Sequence, residues 1–482
     1  MTYIDNDETM LEQLTDVKRF AKDMKEGWIF TSRYEANPHY IVACYSKRTQ
    51  FAGHWVQDTT LLARGLVLKL TDAGMDAYES ITRPYAVDAD TGERIGGSRA
   101  YADADVDDIA AMLEGAAVAG RGMRKFFTVE AATSGWGSIK LVDDDEDVTV
   151  EDDVSIDYDA PASVADKLDG ALGVATIIDG DYVIGTKGSF RSDEAIEGNG
   201  IMHAKHDSKA FAKFMLDNGL GGFTPLFEII TPNHFHVVEY GDMDDIVMLG
   251  LLHRATGRWI PSALLATDRM TAGTNAAMIP GRFGFATPDV YSANTLGEAL
   301  MRPALDNHEG MVVTLEGEGM RQDMFKIKYP MFLMLQRMKH GMSQKAVRDF
   351  VKAMPATAIM HGVASGVEST LPENVLPDDA RDAAKHIIAH LDGMVMDDYV
   401  MPIRDAVNEA IMLFAKASDG VDLGTREGRK SFAMRVGASG ATDEVMKMAF
   451  GIKREAERNA DGAFSAADIR DAAVNAAKNV ML

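Results

Sequence analysis

Short apolar runs separated by turn signals dominate the chain as far as about residue 335. Three such runs lie at residues 65–68, 173–178 and 311–315, and Asp-Gly or other glycine-rich breaks separate them from their neighbours. Apolar runs of this length between such breaks are typical of strands in antiparallel sheets. We therefore predict an α+β domain of antiparallel sheets with flanking helices over residues 1–335.

The apolar period becomes helical beyond residue 335. Apolar side chains recur three or four residues apart in two sets: Ile403, Val407, Ile411 and Phe414, then Ile469, Ala473, Ala476 and Val480. This spacing places one side of a helix against a core. Ser465, followed three residues later by Asp468, is typical of a capped helix start, and Pro377 with Asp378 indicates another. The pattern predicts a separate all-α domain over residues 336–482.

Two stretches of the first domain are predicted to be insertions. Residues 71–122 include an amphipathic pattern that predicts a helix near 106–113. Residues 142–163 hold acidic runs at 143–147 and 151–153, which we interpret as solvated loops.

Composition limits the class of protein. The chain has 482 residues, of which 46% are hydrophobic, which is enough for two or three packed domains. No apolar run approaches the ~18 residues that a membrane span needs, and the acidic start lacks the layout of a secretory signal. Cys44 is the only cysteine, which excludes disulfide frameworks and cysteine-based zinc sites. We expect a cytoplasmic protein.

The formal net charge of −25 argues against a nucleic-acid partner, because phosphate binding requires lysine and arginine. Basic residues are nevertheless concentrated at a few places along the chain: Arg124 with Lys125, Lys187 with Arg191, Lys326 with Lys328, and residues 337–339. A basic cleft on an acidic body is compatible with this distribution, so composition alone does not decide the question.

A candidate nucleophile, Lys167, stands in the sequence Lys167-Leu168-Asp169-Gly170 before an apolar strand. A free lysine, with a pKa near ~10.4, is protonated at neutral pH and cannot attack phosphorus. A second cation ~4 Å away, at an effective dielectric constant near ~20, favours loss of the proton by up to ~4 kcal/mol. Further lysines or a metal ion are therefore expected beside Lys167. Taken alone, the motif favours the simpler interpretation of an exposed turn.

Further charged positions follow in order along the chain. Lys187 comes after an apolar strand, so we expect it beside Lys167 on the next strand of a hairpin that turns at Asp179-Gly180. Glu228 lies within an apolar strand, for which an edge strand with the carboxylate in water is the simpler interpretation. Glu309 stands at the start of another buried strand.

Lys326 and Lys328 lie two residues apart, on the same side of one strand, because side chains alternate with period two. Two like charges aimed in one direction are costly unless an anion lies between them, and a triphosphate would meet that need. A solvated strand face explains this pair alone, but it explains the whole ordered set less well.

These segments, in this order, resemble the RNA ligase 1 family of T-even bacteriophages over about residues 40–335. The resemblance lies in Lys-x-Asp-Gly at Lys167, Lys-Gly-Ser at Lys187, the strand around Glu228, Glu-Gly-x-Val at Glu309, and Phe-Lys-Ile-Lys at residues 325–328. Upstream, Arg-Gly at Arg64, with Trp55 nine residues before it, and Lys-Phe-Phe at Lys125 match further elements. The resemblance implies an ATP-grasp-like ligase (nucleotidyltransferase) fold.

The resemblance also implies roles for the matched residues. Lys167 is expected to attack the α-phosphorus of ATP, with Lys326 and Lys328 holding the α-phosphate as catalytic partners. The implied nucleotide-binding residues are Tyr45, Arg64, Lys125, Asp169, Gly170, Lys187, Glu228, Glu309, Lys326 and Lys328. Glu228 and Glu309 are expected to contact the ribose or to hold Mg²⁺ (or Mn²⁺) through water. The histidine pairs His203 with His206 and His234 with His236, the latter on a strand, are interpreted as ordinary structural residues.

The implied activity is that of an ATP-dependent RNA ligase that joins an RNA 5′-phosphate to a 3′-hydroxyl. Nicked tRNA is an expected substrate, the helical domain is expected to select the RNA, and the protein is expected to be a monomer in the cytoplasm (of the host, if a phage encodes it). One alternative is another covalent nucleotidyltransferase, a DNA ligase or an RNA-capping guanylyltransferase, although those normally continue into a β-rich oligonucleotide-binding fold. Another is a catalytically silent RNA-binding protein.

Overall fold

The chain divides into two compact units, Met1–Phe332 and Leu333–Leu482. The computed structural model describes residues 8–84, 98–101, 103–129, 157–315, 324–341, 344–362, 388–390, 392–458 and 464–482. The helix start predicted at Pro377 and the acidic runs at 143–147 and 151–153 lie outside the described residues.

The first sheet lies at the start of the first unit. Its strands are β1 (Ile29–Arg33), β2 (Tyr40–Tyr45), β3 (Arg64–Lys69), β4 (Arg83–Pro84), β5 (Ser98–Ala100) and β6 (Ala117–Gly120), in the spatial order β4-β5-β1-β2-β3-β6. The helices in this part of the chain are α1 (Val17–Lys25), α2 (Lys47–Ala52), α3 (Asp72–Ile81) and α4 (Val106–Leu113). Phe20, Tyr78 and Ile109 are buried in one core with this sheet.

The amphipathic pattern near 106–113 is confirmed as helix α4, which buries Ile109, Met112 and Leu113. The described residues of the predicted insertion at 71–122 contribute α3, α4 and strands of the first sheet, and several of them lie in its core.

The second sheet packs against the first. Its strands are β9 (Ala171–Ile178), β10 (Asp181–Gly185), β11 (Phe223–Ile230), β12 (Asp245–His253) and β13 (Trp259–Pro261), in the order β10-β9-β11-β12-β13. One face meets the first sheet, where Val67, Val174 and Leu226 share a core. The other face meets helices α5 (Asp193–Lys205), α6 (Ser208–Asp217) and α7 (Ile279–Phe283).

The third sheet carries the candidate nucleophile. Its strands are β7 (Phe127–Thr128), β8 (Ala162–Lys167), β14 (Val290–Tyr291), β15 (Gly310–Leu315) and β16 (Met324–Lys328), in the order β14-β8-β15-β16-β7, with helix α8 (Leu296–Leu300) before β15. The pairs are antiparallel except β16 with β7, which is parallel. Gly310 is opposite Lys167 on one side and Lys328 on the other. This register brings the two lysines to the two sides of Glu309.

The described part of the second unit is helical, so the predicted α+β class followed by helices is confirmed. Helix α9 (Pro330–Gly341) spans the boundary, and α10 (Gln344–Ala353), α11 (Ala356–His361), a π-helical turn (Met396–Val400), α12 (Met401–Ser418), α13 (Arg426–Gly437), α14 (Asp443–Arg458) and α15 (Ala466–Met481) follow. Among the described residues, none of the helices combines the length and apolar character of a membrane span.

Helix α12 buries most of its predicted apolar face, whereas α15 fully buries only Ala473 of its four predicted positions. In α12, Ile403, Val407 and Phe414 are buried, while Ile411 is only half-buried. In α15 the buried face comprises Ala472, Ala473, Val474 and Ala477, and the other predicted positions of that helix are half-buried. The face is rotated because α15 packs on both α12 and α14.

The predicted cap of α15 is confirmed. Ser465 Oγ accepts a hydrogen bond from the Asp468 amide at 3.2 Å, and Asp468 Oδ2 accepts one from the Ser465 amide at 2.8 Å. These reciprocal bonds satisfy two amide groups that the helix itself leaves unpaired.

We predict that Ser465→Ala lowers the free energy of unfolding of the helical unit by about 1 kcal/mol, because the Asp468 amide loses its acceptor. Urea unfolding followed by circular dichroism measures the change. Ser465→Asp, which keeps an acceptor at the cap, is the control and should be close to wild type. An unchanged midpoint for Ser465→Ala contradicts the assignment.

Candidate active site

A cavity of about 500 Å³ lies where residues of all three sheets of the first unit meet. Most of the residues predicted to form a site line it: Arg64, Lys125, Lys167, Gly170, Lys187, Glu228, Glu309, Lys326 and Lys328. Tyr45 and Asp169 are not among its lining residues. The structure thus brings together positions that span more than half of the sequence.

The centre of the cavity wall is a buried carboxylate shared by two lysines. Glu309 Oε2 lies 2.8 Å from Lys167 Nζ, and Glu309 Oε1 lies 2.9 Å from Lys328 Nζ. Glu309 is only 3% exposed. Because both oxygens are engaged, the position of each ammonium group is fixed relative to the other.

The backbone around Glu309 requires a glycine. Gly310 has a φ of 151°, and a Cβ atom at this position would clash with the carbonyl oxygen of Ile327 on β16. The close approach of β15 to β16 continues past the strand end, where the Tyr329 amide donates to the Glu309 carbonyl oxygen at 3.0 Å. Next to it, the Phe332 ring lies 4.9 Å from Lys328 Nζ.

Glu228 enters the cavity from the middle of a sheet, because β11 lies between β9 and β12. The interpretation of an edge strand with its carboxylate in water is therefore wrong. Glu228 Oε1 accepts a hydrogen bond from the Gly170 amide at 3.0 Å. Burial raises the pKa of Glu228 to about 7, while the Lys167 ammonium opposes this shift and Glu309 adds to it.

Gly170 is required by the contact with β11. A Cβ atom on Gly170 would lie 2.5 Å from the carbonyl oxygen of Ile229 and 2.8 Å from Cγ of Glu228. Any larger residue would therefore push the segment after Lys167 away from the strand that carries Glu228.

Asp169 holds a loop instead of lining the cavity. Its Oδ2 accepts hydrogen bonds from the Val237 and Val238 amides, at 2.6 and 3.2 Å, and its own amide donates to the Tyr240 hydroxyl at 2.7 Å. Asn307 holds the same loop through two hydrogen bonds with Glu239. Its Oδ1 accepts from the Glu239 amide at 2.7 Å, and its Nδ2 donates to the Glu239 carbonyl oxygen at 2.9 Å. The acid of the Lys-x-Asp-Gly motif thus anchors residues 237–240 beside the nucleophile.

Lys167 and Lys187 do not share the predicted hairpin. A hairpin does turn at Asp179 and Gly180, both with positive φ, but it joins β9 to β10. Lys167 ends β8 in the third sheet, and the next three residues carry the chain into the second sheet. The two lysines nevertheless reach the same cavity, since Lys187 follows β10 directly.

Four of the lining cations have no carboxylate partner among the residues that the structure describes: Arg64, Lys125, Lys187 and Lys326. Arg64 donates from Nη1 to the Met123 carbonyl oxygen at 3.2 Å, while its Nε is buried with no hydrogen-bond partner. A buried cation without a counter-ion is costly unless an anion binds there. This side of the cavity is therefore suited to phosphate groups.

Two of these lysines titrate near neutrality. Burial, together with the charges of Lys125, Lys167 and Lys328, lowers the pKa of Lys326 to about 7. Burial also lowers the pKa of Lys125 to about 8, with contributions from Arg64 and from other lysines of the cavity.

Three aromatic rings surround Lys125. Its Nζ lies 5.8 Å from the Tyr45 ring, 5.7 Å from Trp55 and 5.9 Å from Phe127, within the range of cation–π attraction. Tyr45 and Trp55 pack edge to face at 5.1 Å and are 6% and 3% exposed. The structure thus places Tyr45 behind Lys125, in an aromatic cage of Tyr45, Trp55 and Phe127.

Four polar residues of the cavity wall were not predicted from the sequence: Asp166, Thr186, Ser192 and Glu194. Asp166 accepts a hydrogen bond from the Tyr291 hydroxyl at 3.0 Å, and burial raises its pKa. Because side chains alternate along a strand, Asp166 is expected to point away from Lys167, and the sequence therefore does not predict it as a site residue. Ser192 caps α5 by accepting from the Ala195 amide. A serine followed by two acidic residues is typical of a helix start, and this pattern could have indicated Ser192 and Glu194.

The donors for a metal ion are few. No group of three or more histidine, cysteine, aspartate or glutamate side chains suited to a metal occurs within the described residues. His206 and His234 pair with Asp245 and Glu197, at 2.9 and 3.2 Å, outside the cavity lining. The predicted strand for His234 and His236 is wrong, because β11 ends at Ile230 and these residues lie in the following loop.

We predict that inorganic tripolyphosphate binds more weakly as the pH rises from 6 to 9. Lys326 and Lys125 are charged below their pKa values of about 7 and 8 and lose that charge above them. Loss of one charge-assisted contact, about 1.5 kcal/mol, weakens binding roughly tenfold. Isothermal titration calorimetry measures the affinity. Lys326→Arg stays charged, so its affinity should fall less; an identical fall in both proteins contradicts the assignment.

Comparison with known proteins finds a family that part of this chain resembles. Residues 109–331 match the model of a family described as RNA ligase. Among solved structures, a Naegleria gruberi RNA ligase variant with ATP and Mn is 14% identical, over 36% of this chain and 51% of that one (TM-score 0.27). An archaeal ATP-dependent RNA ligase is also 14% identical, over 59% of this chain and 69% of that one (TM-score 0.27). Another Naegleria gruberi RNA ligase variant is 12% identical, over 63% of this chain and 96% of that one (TM-score 0.31).

TM-scores this low do not establish a shared fold, and the chain spans about half the length of the first of these ligases. The family match stands independently of them and contains Lys125, Lys167, Glu228, Glu309 and the lysines of β16. The similarity to the RNA ligase family is therefore a match over residues 109–331, the part of the chain that carries these site residues.

Proposed function

We propose that this protein is an ATP-dependent RNA ligase in which Lys167 carries AMP before two RNA ends are joined. The observation that supports this proposal most directly is the position of Lys167 in a cavity with four other lysines and Arg64. The match of residues 109–331 to the RNA ligase family model supports the choice of reaction.

In the first step, the Lys167 ammonium passes a proton to Glu309, the carboxylate 2.8 Å away, because only the free amine has a lone pair. Lys167 Nζ then attacks the α-phosphorus of ATP. A phosphorus–nitrogen bond forms, the bond to the leaving pyrophosphate breaks, and the nitrogen releases its second proton to solvent. The cations without carboxylate partners stabilise the charge on the triphosphate, which is the main requirement of phosphoryl transfer.

In the second step, an oxygen of the RNA 5′-phosphate attacks the phosphorus of the lysyl-bound AMP, and the Lys167 amine leaves. In the third step, a 3′-hydroxyl attacks the activated 5′-phosphate, which forms the new phosphodiester and releases AMP. Because each step is an in-line displacement at phosphorus, the same cations can serve all three. RNA with a 5′-phosphate and a 3′-hydroxyl is the substrate class, and nicked tRNA is the specific substrate that we propose within it.

A divalent cation, Mg²⁺ or Mn²⁺, neutralises triphosphate charge when bound. Magnesium sites of this kind use one or two carboxylates, with phosphates and water as the other ligands, which agrees with the few donors in this cavity. Glu228 suits that role, since its Oε1 accepts the Gly170 amide and its other oxygen remains available. Glu309 suits it less well, because both of its oxygens are in ion pairs.

The alternatives make different demands on the chain. A catalytically silent RNA-binding protein needs no enclosed lysine, yet Lys167 is positioned among cations at the cavity wall. A DNA ligase or capping enzyme would differ in its substrate, so labelling with ATP against GTP, and joining of RNA against DNA ends, separates these possibilities.

We predict that incubation with α-labelled ATP and Mg²⁺ labels the wild-type protein and that Lys167→Ala abolishes the label. Lys326→Ala should reduce labelling at least tenfold, because it removes about 1.5 kcal/mol or more of charge stabilisation. Lys213→Ala, at an exposed lysine of α6, is the matched control and should label normally. Undiminished label on Lys167→Ala would overturn the proposal.

We also predict that a protein ending at Gly341 still forms lysyl–AMP, since the lining residues all lie within the first unit. Its choice among RNA substrates should change, because we propose that the helical unit selects the RNA. Circular dichroism establishes that the shortened protein is folded. A folded protein that cannot be labelled contradicts this division of roles.

A further inference from the structure

A basic and aromatic surface lies beside the cavity, on helix α2. We propose that this α2 surface, defined by Lys47, Arg48 and Phe51 with Trp28 and His54, binds the single-stranded RNA that leads into the cavity. The proposal deepens the proposed function and rests on it, and it assigns to RNA a surface outside the cavity wall.

Phe51 provides the first observation. It is 85% exposed, although burying a phenylalanine contributes about 1.5–3 kcal/mol. Lys47 and Arg48 stand four and three residues before it on α2, so the three side chains emerge from one side of the helix. Lys47 and Arg48 are exposed and have no carboxylate partner within the part of the chain that the structure describes.

A stack of side chains beside Phe51 provides the second observation. The Arg48 guanidinium carbon lies 3.9 Å from the centre of the Trp28 ring, and the His54 ring lies 4.2 Å from that ring at an interplanar angle of 19°. Arg48 also donates to the Glu26 carbonyl oxygen, and His54 lies 3.3 Å from Asp23. The guanidinium is therefore held in place before any ligand binds, which reduces the entropy lost on binding.

The α2 segment lies between two residues that contact a cavity lysine. Tyr45 precedes α2 and Trp55 follows His54, and both belong to the aromatic cage around Lys125. The Ser46 amide donates to the Trp28 carbonyl oxygen at 2.8 Å, which fixes the start of α2 against β1. Both ends of the α2 segment thus adjoin the aromatic residues around Lys125, which is why we place the path of the RNA from the cavity along α2.

The chemistry of the surface favours single-stranded RNA. Cations neutralise phosphates, and a base of any identity can stack on a free aromatic ring. Among the described residues, the exposed cations Lys47 and Arg48 outnumber the exposed carboxylate in contact with this surface, that of Glu26, which accepts a hydrogen bond from Trp28 Nε1 at 2.9 Å. On a chain whose formal net charge is −25, this local excess of positive charge complements a polyanion. A protein partner or a second copy would instead be expected to cover a wider apolar patch.

The test compares a 5′-phosphorylated RNA of about ten nucleotides with a nucleoside 3′,5′-bisphosphate, which is too short to reach α2. Binding to the full-length protein is measured by fluorescence anisotropy for the RNA and by calorimetry for the bisphosphate. We expect Phe51→Ala to weaken RNA binding about tenfold, as loss of one stacked base does, with no change for the bisphosphate. Phe51→Trp should retain the wild-type affinity for RNA.

Charge and controls complete the design. Lys47→Ala should make the dependence of log affinity on log salt less steep by about 0.7, the value for one phosphate contact on a single strand. Met301→Ala, at a side chain that is 86% exposed in another part of the unit, should bind RNA as wild type does. Formation of lysyl–AMP should be unchanged in all these variants.

Three results would overturn the proposal. They are equal RNA affinity in wild type and Phe51→Ala, an equal loss for the bisphosphate, and a wild-type dimer that Phe51→Ala converts to a monomer. Any of them, with lysyl–AMP formation intact, leaves the proposed ligase function standing. An absence of lysyl–AMP in the wild type would instead contradict the proposed function itself.

Discussion

The cavity depends on one buried carboxylate between two ammonium groups. Glu309 holds Lys167 and Lys328 at 2.8 and 2.9 Å, and it does so while 3% exposed. Without it, two cations would lie close together beside Lys326 with no counter-charge, which costs several kcal/mol in a buried setting. The remaining cations of the wall have no carboxylate partner among the described residues. The cavity of the first unit therefore carries excess positive charge, which a bound polyphosphate would neutralise.

Strand register and two glycines maintain this arrangement. Gly310 pairs with Lys167 and Lys328 on opposite sides, so the third sheet itself sets the separation of the two lysines. Gly170 lets the chain pass from that sheet to the second one in contact with Glu228. The Asp169 carboxylate then fixes the adjoining loop. The motif around Lys167 thus provides the nucleophile and also the segment of chain that connects the third sheet to the second.

Local rules predicted the features that depend on local geometry. Period-two alternation gave the common direction of Lys326 and Lys328, and capping chemistry gave the start of α15 at Ser465. The change of sheet after Lys167 escaped prediction, because a turn within one sheet and a crossing between two sheets use the same short polar sequence. The direction of Asp169 and the position of Tyr45 behind Lys125 depend on tertiary contacts with residues far along the chain, which periodicity does not encode.

Peptide mapping by mass spectrometry can identify the residue that carries AMP. After incubation with ATP and Mg²⁺, the wild-type protein is digested and the modified residue is located. We predict AMP on Lys167, with Lys326 and Lys328 unmodified, because Glu309 positions the Lys167 amine at the cavity wall. AMP bound to a different residue, or no AMP on a protein shown to be folded and to bind ATP, would contradict it.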